Sequence, residues 1–211
     1  MVTGLLELLI ATSNEGKARE ITRAFSGLPL QIRSLKDFPS LHLVDEQGVT
    51  YEENAIAKAV GYAGQTGLYA IADDSGLEVD ALDGRPGFLS ARYGGAALSD
   101  VERNNKLLTS LAHIDVSERT ARFVSVAVLA KPSEDTMPAA RVLGIERGIC
   151  EGKIALTQRG DHGFGYDSVF IPRGYNESFG ELTDSIKDRI SHRAQSILRI
   201  RALLKHLITQ T

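Results

Sequence analysis

Tyr69-Ala70-Ile71-Ala72-Asp73-Asp74-Ser75-Gly76-Leu77 is an apolar run that stops at two adjacent carboxylates, a hydroxyl and a glycine. Apolar runs of this length, bounded by a turn signal, read as buried strands. Residues 73–76 are therefore expected to turn at the carboxyl end of a strand, the place where ligands collect in α/β sheets. Two neighbouring acids are costly to bury without a partner or a metal. Two readings stay open here: a hydrated polar turn, or a carboxylate pair that does chemistry.

Upstream of this stretch, residues 5–11 are mostly apolar and read as an opening strand. Thr12-Ser13-Asn14-Glu15-Gly16-Lys17 follows, and then Ala18, Ile21, Ala24 and Phe25 recur at helical spacing. Ser13 or Asn14 suits the N-cap and Glu15 the first turn. A strand, a polar turn and a helix can offer backbone N–H groups and a lysine to an anion, although a plain capped helix explains the same residues. The order of glycine, lysine and hydroxyl is not that of a Walker A loop. Residues 31–34 read as a second strand, and residues 36–48, with Pro39 and Glu46, as a loop. Thr50 and Glu53 form a capping-box pattern that opens a helix running to about residue 63. Lys58 on that helix reads as a solvated surface lysine, the common fate of such residues.

Downstream, residues 77–81 read as extended and residues 83–87 as a turn. A short helical piece is expected at 90–93, broken by Gly94-Gly95, followed by a helix over 99–112 capped by Ser99 and Glu102. Residues 120–130 make the strongest strand of the second half, 131–138 a turn, and 141–150 its antiparallel partner. This long hairpin predicts a second lobe, centred on about residues 115–155, within one domain spanning 1–211. Gly163-Phe164-Gly165-Tyr166-Asp167 is a glycine-rich turn with interleaved aromatics. Its glycines permit close approach of a ligand and its rings could stack on a planar base; alternatively the rings pack into the core. The last helix spans about 191–208, with Ser191 as its N-cap. His192 and Arg193 then occupy a first turn whose dipole disfavours cations, which points either to a shared anionic ligand or to a salt bridge with a nearby acid.

The 211 residues are 43% hydrophobic and 24% charged, ordinary values for a soluble globular protein. A net charge of −3 argues against a nucleic-acid partner, since duplex binders carry a basic face. Cys150 is the single cysteine, so no intrachain disulfide forms, and a reducing, cytoplasmic setting is expected. Residues 1–10 contain Glu7 and lack a basic leader, which argues against a signal peptide. No apolar run approaches membrane-spanning length, so no membrane partner is expected.

Five ordered motifs carry a resemblance over nearly the whole chain. They are Thr12-Ser13-Asn14 with Gly16-Lys17 and Glu20, Asp73 to Leu77, Pro86-Gly87 with Ser90 to Tyr93, Gly163 to Asp167, and Ile190-Ser191-His192-Arg193. Together they resemble the inosine triphosphate pyrophosphatase family, also called dITP/XTP pyrophosphatases. That resemblance implies an α/β fold, with two lobes around a long mixed central sheet, flanking helices and a nucleotide cleft between the lobes. It implies hydrolysis of purine nucleoside triphosphates with a deaminated base (ITP, dITP, XTP) to monophosphate and pyrophosphate, with Mg2+ as cofactor, in a homodimer.

Residue by residue, Asp74 matches the proton acceptor and a metal ligand, and Glu46 the other metal carboxylate. Thr12, Ser13, Asn14, Glu15, Gly16 and Lys17 match the phosphate-binding turn, and Ser75 a further substrate contact. Phe164, Gly165, Tyr166 and Asp167 match the base-binding turn. Lys187 matches a nucleotide-contacting lysine, and His192 and Arg193 the closing base and phosphate contacts. Lys58 and Arg92 are further phosphate candidates. Two departures stand out: Ser168 where many members have proline, and Thr183-Asp184-Ser185-Ile186 in place of a more acidic run.

Overall fold

Leu8, Leu9, Ile10 and Ala11 are almost wholly buried, as are Ala70, Ile71 and Ala72, which is what strands covered on both faces require. The structure, a computed structural model, describes residues 5–133 and 140–210. Strand β1 (Leu6–Ile10) leads into helix α1 (Glu15–Ala24), strand β2 (Leu30–Ser34), helix α2 (Tyr51–Thr66) and strand β3 (Tyr69–Val79). Strand β1 pairs in parallel with β2, Leu6 opposite Leu30, and with β3, Leu8 opposite Tyr69. Parallel neighbours need crossovers, and α1 and α2 supply them. Helix α3 (Asp100–Ser110), strands β4 (Thr120–Pro132), β5 (Ala140–Ile154) and β6 (Phe170–Pro172), and helices α4 (Asp184–Ile190) and α5 (His192–Gln210) complete the chain.

The sheet has the order β2-β1-β3-β4-β5-β6. Strand β6 runs antiparallel to β5, Lys153 opposite Ile171, so the sheet is mixed and the fold is α/β with flanking helices. Residues 134–138 of the turn expected between β4 and β5 lie outside the described residues.

Two compact units divide the chain. One comprises Met1–Asp74, Val126–Arg147 and Arg193–Thr211, the other Ser75–Ser125 and Gly148–His192. Strands β3, β4 and β5 each continue from one unit into the other. Of the hairpin expected to centre the second lobe, residues 126–147 belong to the first unit. The first unit has its own core of Leu8, Ile21, Ile71, Leu129 and Ile197 with their neighbours. The second packs Leu77, Leu107, Phe123, Phe170 and Phe179. Burial of such side chains contributes about 1.5–3 kcal/mol each, so each unit rests on its own apolar interior.

The expected turn at 73–76 is absent. Strand β3 runs for 11 residues straight through Asp73 and Asp74, and its apolar pattern resumes at Leu77 and Val79, both fully buried. Gly76 serves close packing rather than a turn. A Cβ there would lie 2.1 Å from the Gly87 carbonyl oxygen and 2.7 Å from Ser90 Oγ, and Ser90 Oγ accepts the Leu77 N–H at 2.8 Å. The tight turn comes later, at Asp83 (φ 55°) and Gly84 (φ 78°).

Candidate functional site

In the first unit the site grows from the middle of β3. Asp73 and Asp74 are adjacent, so their side chains leave opposite faces of the strand, and their surroundings differ accordingly. Asp73 is fully buried. Its Oδ2 lies 3.1 Å from Arg193 Nε and 3.3 Å from Lys17 Nζ. Oδ1 has no hydrogen-bond partner among the described residues. Burial alone would raise its pKa; the charges of Arg193, Lys17 and Lys58 outweigh that and hold the carboxyl well below the usual carboxylate range. Arg193 is itself buried and also paired with Glu20. These two acids explain a cation in the first turn of α5, because buried ion pairs outweigh the helix dipole.

Asp74 is 8% exposed. Its Oδ2 accepts from Asn54 Nδ2 at 3.3 Å, and its Oδ1 lies 3.7 Å from Lys58 Nζ. Burial, reinforced by Asp73 and Glu46, pushes its pKa up against the pull of Lys58 and Lys17. The two neighbours therefore have opposite proton affinities. Opposite shifts of this kind distinguish an acid locked in its charged form from one with a raised proton affinity.

Lys58 is the residue furthest from its sequence reading. It is not solvated but buried. Its ammonium donates to Glu46 Oε2 at 2.9 Å and to the Asp73 carbonyl at 2.9 Å. Desolvation opposes its charge, but Asp74, Asp73 and Glu46 together raise its pKa. Asn54, one helical turn earlier on the same face of α2, reaches Asp74 and also exchanges hydrogen bonds with both backbone groups of Gly48. Sequence reasoning missed Asn54. The available signal was a poor helix former placed inside a capped helix, four residues before a lysine.

Glu46 sits on a segment without regular structure that is strapped along α2. His42 N–H donates to Gln65 Oε1 at 2.8 Å and Gln65 Nε2 donates to His42 O at 3.1 Å. Val44 packs where a Cβ on Gly61 would stand, 2.7 Å away, and Val49 N–H is held by Glu53 Oε2 at 2.8 Å. A long irregular segment in a compact unit is commonly a functional one.

The Thr12–Lys17 turn caps α1 through Asn14, whose Oδ1 accepts Lys17 N–H at 2.9 Å, while Thr12 Oγ1 accepts Asn14 N–H at 3.2 Å. Ser13 and Glu15 are exposed and Gly16 is buried; Glu15 pairs with Lys36 at 2.8 Å. Lys17 reaches Asp73, and burial lowers its pKa, assisted by Arg193 and Lys58. Three cations, Lys17, Lys58 and Arg193, and two further acids, Glu20 and Glu46, thus gather around the β3 acids in this unit.

The second unit holds the remaining residues. Lys187 Nζ lies 2.5 Å from Asp167 Oδ2 and 4.7 Å from the centre of the Phe164 ring, a cation over an aromatic face. Asp167 Oδ2 also accepts Phe164 N–H at 2.8 Å. Gly163 permits that approach, since a Cβ there would lie 2.0 Å from the same oxygen and φ is 79°. Phe164 is half-buried. Tyr166 points into the core, 4% exposed, with its hydroxyl donating to Ser90 O at 2.8 Å. His192 is buried and stacked on Phe123, ring centroids 4.6 Å apart and planes 9° apart. Ser75 is half-buried and Arg92 exposed.

Comparison with known proteins gives a consistent result. The profile of the Ham1 family matches residues 8–203. A dITP/XTP pyrophosphatase of Elusimicrobium minutum is 43% identical over 204 residues, 95% of this chain and 100% of that protein. The dITP/XTP pyrophosphatase of Oceanobacillus iheyensis is 41% identical over 192 residues, 90% of this chain and 94% of that one. Among solved structures, a HAM1 protein from Coxiella burnetii superimposes with a TM-score of 0.82 at 38% identity, covering 95% of this chain and 99% of that chain.

Proposed function

The chain belongs to the Ham1 family, and we propose that it is a nucleoside triphosphate pyrophosphatase that hydrolyses deaminated purine nucleotides (ITP, dITP and XTP). The products are the nucleoside monophosphate and pyrophosphate, so the enzyme clears such nucleotides from the pool. The names of the relatives support this reading. The observation that carries it in the structure is the split between the two β3 acids: Asp73 locked by Arg193 and Lys17, and Asp74 left with a raised proton affinity beside a buried ammonium.

Glu46 and Asp74 are proposed to hold Mg2+. The donor set fits: Glu46 Oε2, the Asp73 carbonyl and Asp74 Oδ1 surround one positive charge, the Lys58 ammonium, at 2.9, 2.9 and 3.7 Å. Hard oxygens around a cation are what Mg2+ takes, with one or two carboxylates and substrate phosphate oxygens. Among the described residues no cluster of three or more His, Cys, Asp or Glu could hold a metal ion. When bound, the ion withdraws charge from the phosphate oxygens.

Asp74 accepts a proton from the attacking water, whose oxygen bonds to the phosphorus nearest the sugar as the bridge to the second phosphate breaks and leaves with pyrophosphate. The Thr12–Lys17 turn binds the phosphate chain through its hydroxyls and the N-terminus of α1. Lys17 and Lys58 offset the charge that develops there. Arg193, committed to Asp73 and Glu20, contributes its field while it holds Asp73 in place. In the second unit, Phe164 offers a stacking face, and Lys187 and His192 read the base. A keto oxygen at purine position six accepts hydrogen bonds where adenine presents an amino group, so a donating site leaves donors unpaired with ATP. Ser75 contacts the substrate, Asp167 fixes Lys187, and the working species is a homodimer in the cytoplasm. No helix among the described residues is long and apolar enough to cross a membrane.

Product analysis tests this directly. With dITP and Mg2+ the expected products are dIMP and pyrophosphate in equal amounts, and a chelator abolishes both. Release of dIDP and inorganic phosphate would overturn the assignment.

A further inference from the structure

The Gly163–Asp167 turn is held from outside by α3, and both backbone polar groups of one of its residues are used. Gly165 N–H donates to Asp100 Oδ2 at 2.6 Å, and Gly165 C=O accepts from Asn104 Nδ2 at 2.9 Å. The grip extends through Asn104, which also reaches Ser168 Oγ at 3.0 Å and Gln158 Oε1 at 3.4 Å. Asp100 and Asn104 lie four residues apart on one face of α3, in its first two turns. That helix is fixed by the Ser99–Glu102 capping box and by Arg103, which is buried and binds Asp100 Oδ1 at 3.2 Å and Leu98 O at 2.9 Å. Gly165 itself has φ 62°, a conformation without intrinsic stiffness in glycine. Asp167 braces the turn from within through the Phe164 N–H, and α3 supplies the hold on Gly165.

We infer that Asp100 and Asn104 are positioning residues for base selection: they clamp the Gly165 backbone on both sides of its Cα, and so fix the Phe164 ring before it and the Asp167–Lys187 pair after it. This deepens the proposed function and rests on it. Among the described residues the side chains of Asp100 and Asn104 hydrogen-bond to Arg103, Gln158, Gly165 and Ser168, not to the phosphate-binding groups, so a loosened clamp acts on recognition rather than on bond cleavage. Misplacement of a recognition surface weakens discrimination because donors no longer meet the keto oxygen at hydrogen-bond distance. Asp100 accepts from a backbone N–H as a charged group, the stronger kind of hydrogen bond. Asn at position 100 keeps an acceptor oxygen without the charge.

The test compares wild type, Asp100→Ala, Asp100→Asn and Asn104→Ala, each first shown to be folded by circular dichroism and cooperative unfolding. Two readouts are taken. Hydrogen exchange of the peptide spanning 160–168 is expected to speed up at least about tenfold in Asp100→Ala. Steady-state hydrolysis of dITP is expected to show KM raised about tenfold, kcat within about threefold of wild type, and a smaller ratio of kcat/KM for dITP over dATP, with Asp100→Asn intermediate in each. Unchanged exchange in both alanine variants overturns the clamp, whatever the enzyme acts on. Faster exchange with kcat lost and KM unchanged overturns the role in base selection. A wild type with no preference for dITP refutes the proposed function and, with it, the selection role, while the exchange result still decides the clamp.

Discussion

Asp73→Asn and Asp74→Asn, made at neighbouring positions of one strand, should fail in different ways. Asp73 is fully buried and its carboxylate meets two cations, Arg193 and Lys17, at 3.1 and 3.3 Å. Its amide replacement leaves those cations without their counter-charge and brings an N–H2 group toward them. Breaking a buried pair by removing one partner costs about 3–5 kcal/mol. For a protein of this size each kcal/mol corresponds to about 2–4 °C, so the melting temperature should fall by about 6–20 °C. The sign with pH follows from the depressed pKa of Asp73. Its contribution is complete above the unfolded value of about 3.9 and is lost as pH falls below that, so the gap between wild type and variant should persist from pH 7 to about pH 4 and narrow only in stronger acid. Asp74, by contrast, has a pKa raised by burial, so its charge is not a source of stability. Asp74→Asn should unfold within about 1 kcal/mol of wild type while kcat for dITP falls by about 100-fold to 10,000-fold, the range for a lost general base. Chemical unfolding at pH 7 followed by circular dichroism, with pyrophosphate release on the same preparations, measures both. Equal stability of Asp73→Asn and wild type, or near wild-type turnover by Asp74→Asn, would refute the division of roles.

Two further substitutions test particular contacts. Tyr166→Phe removes only the hydroxyl bonded to Ser90 O; it should cost about 1 kcal/mol of stability, measured by urea unfolding, and leave KM for dITP within about twofold, as suits a core aromatic and not a base-stacking one. Gln65→Ala removes both bonds to His42 and frees the strap that carries Glu46, so the Mg2+ concentration giving half-maximal rate should rise by about threefold to tenfold with kcat at saturating Mg2+ little changed; calorimetric Mg2+ titration should weaken in parallel.

Local signals in the sequence read well where the determinant was local. The capping boxes at Thr50–Glu53 and Ser99–Glu102 both form, Asn14 caps α1, and the apolar runs around Leu8, Ile71 and Val126 are strands. The Asp73–Gly76 stretch was misread because two carboxylates and a glycine are turn residues in solvent. In this chain Lys17, Lys58 and Arg193, from three distant segments, neutralise the acids inside a strand, and Gly76 answers to the Gly87 carbonyl. Lys58 was misread for the same reason: its partners Glu46, Asp73 and Asp74 come from a loop and a strand that a helical periodicity does not show. Tertiary charge pairing decided both positions.

The central claim is tested most directly by steady-state pyrophosphate release from ITP, dITP, XTP, GTP and ATP under one set of conditions with Mg2+. The account predicts that kcat/KM for ITP, dITP and XTP exceeds that for ATP by at least about 100-fold, with monophosphate as the nucleotide product. Comparable values for ATP and ITP would contradict it.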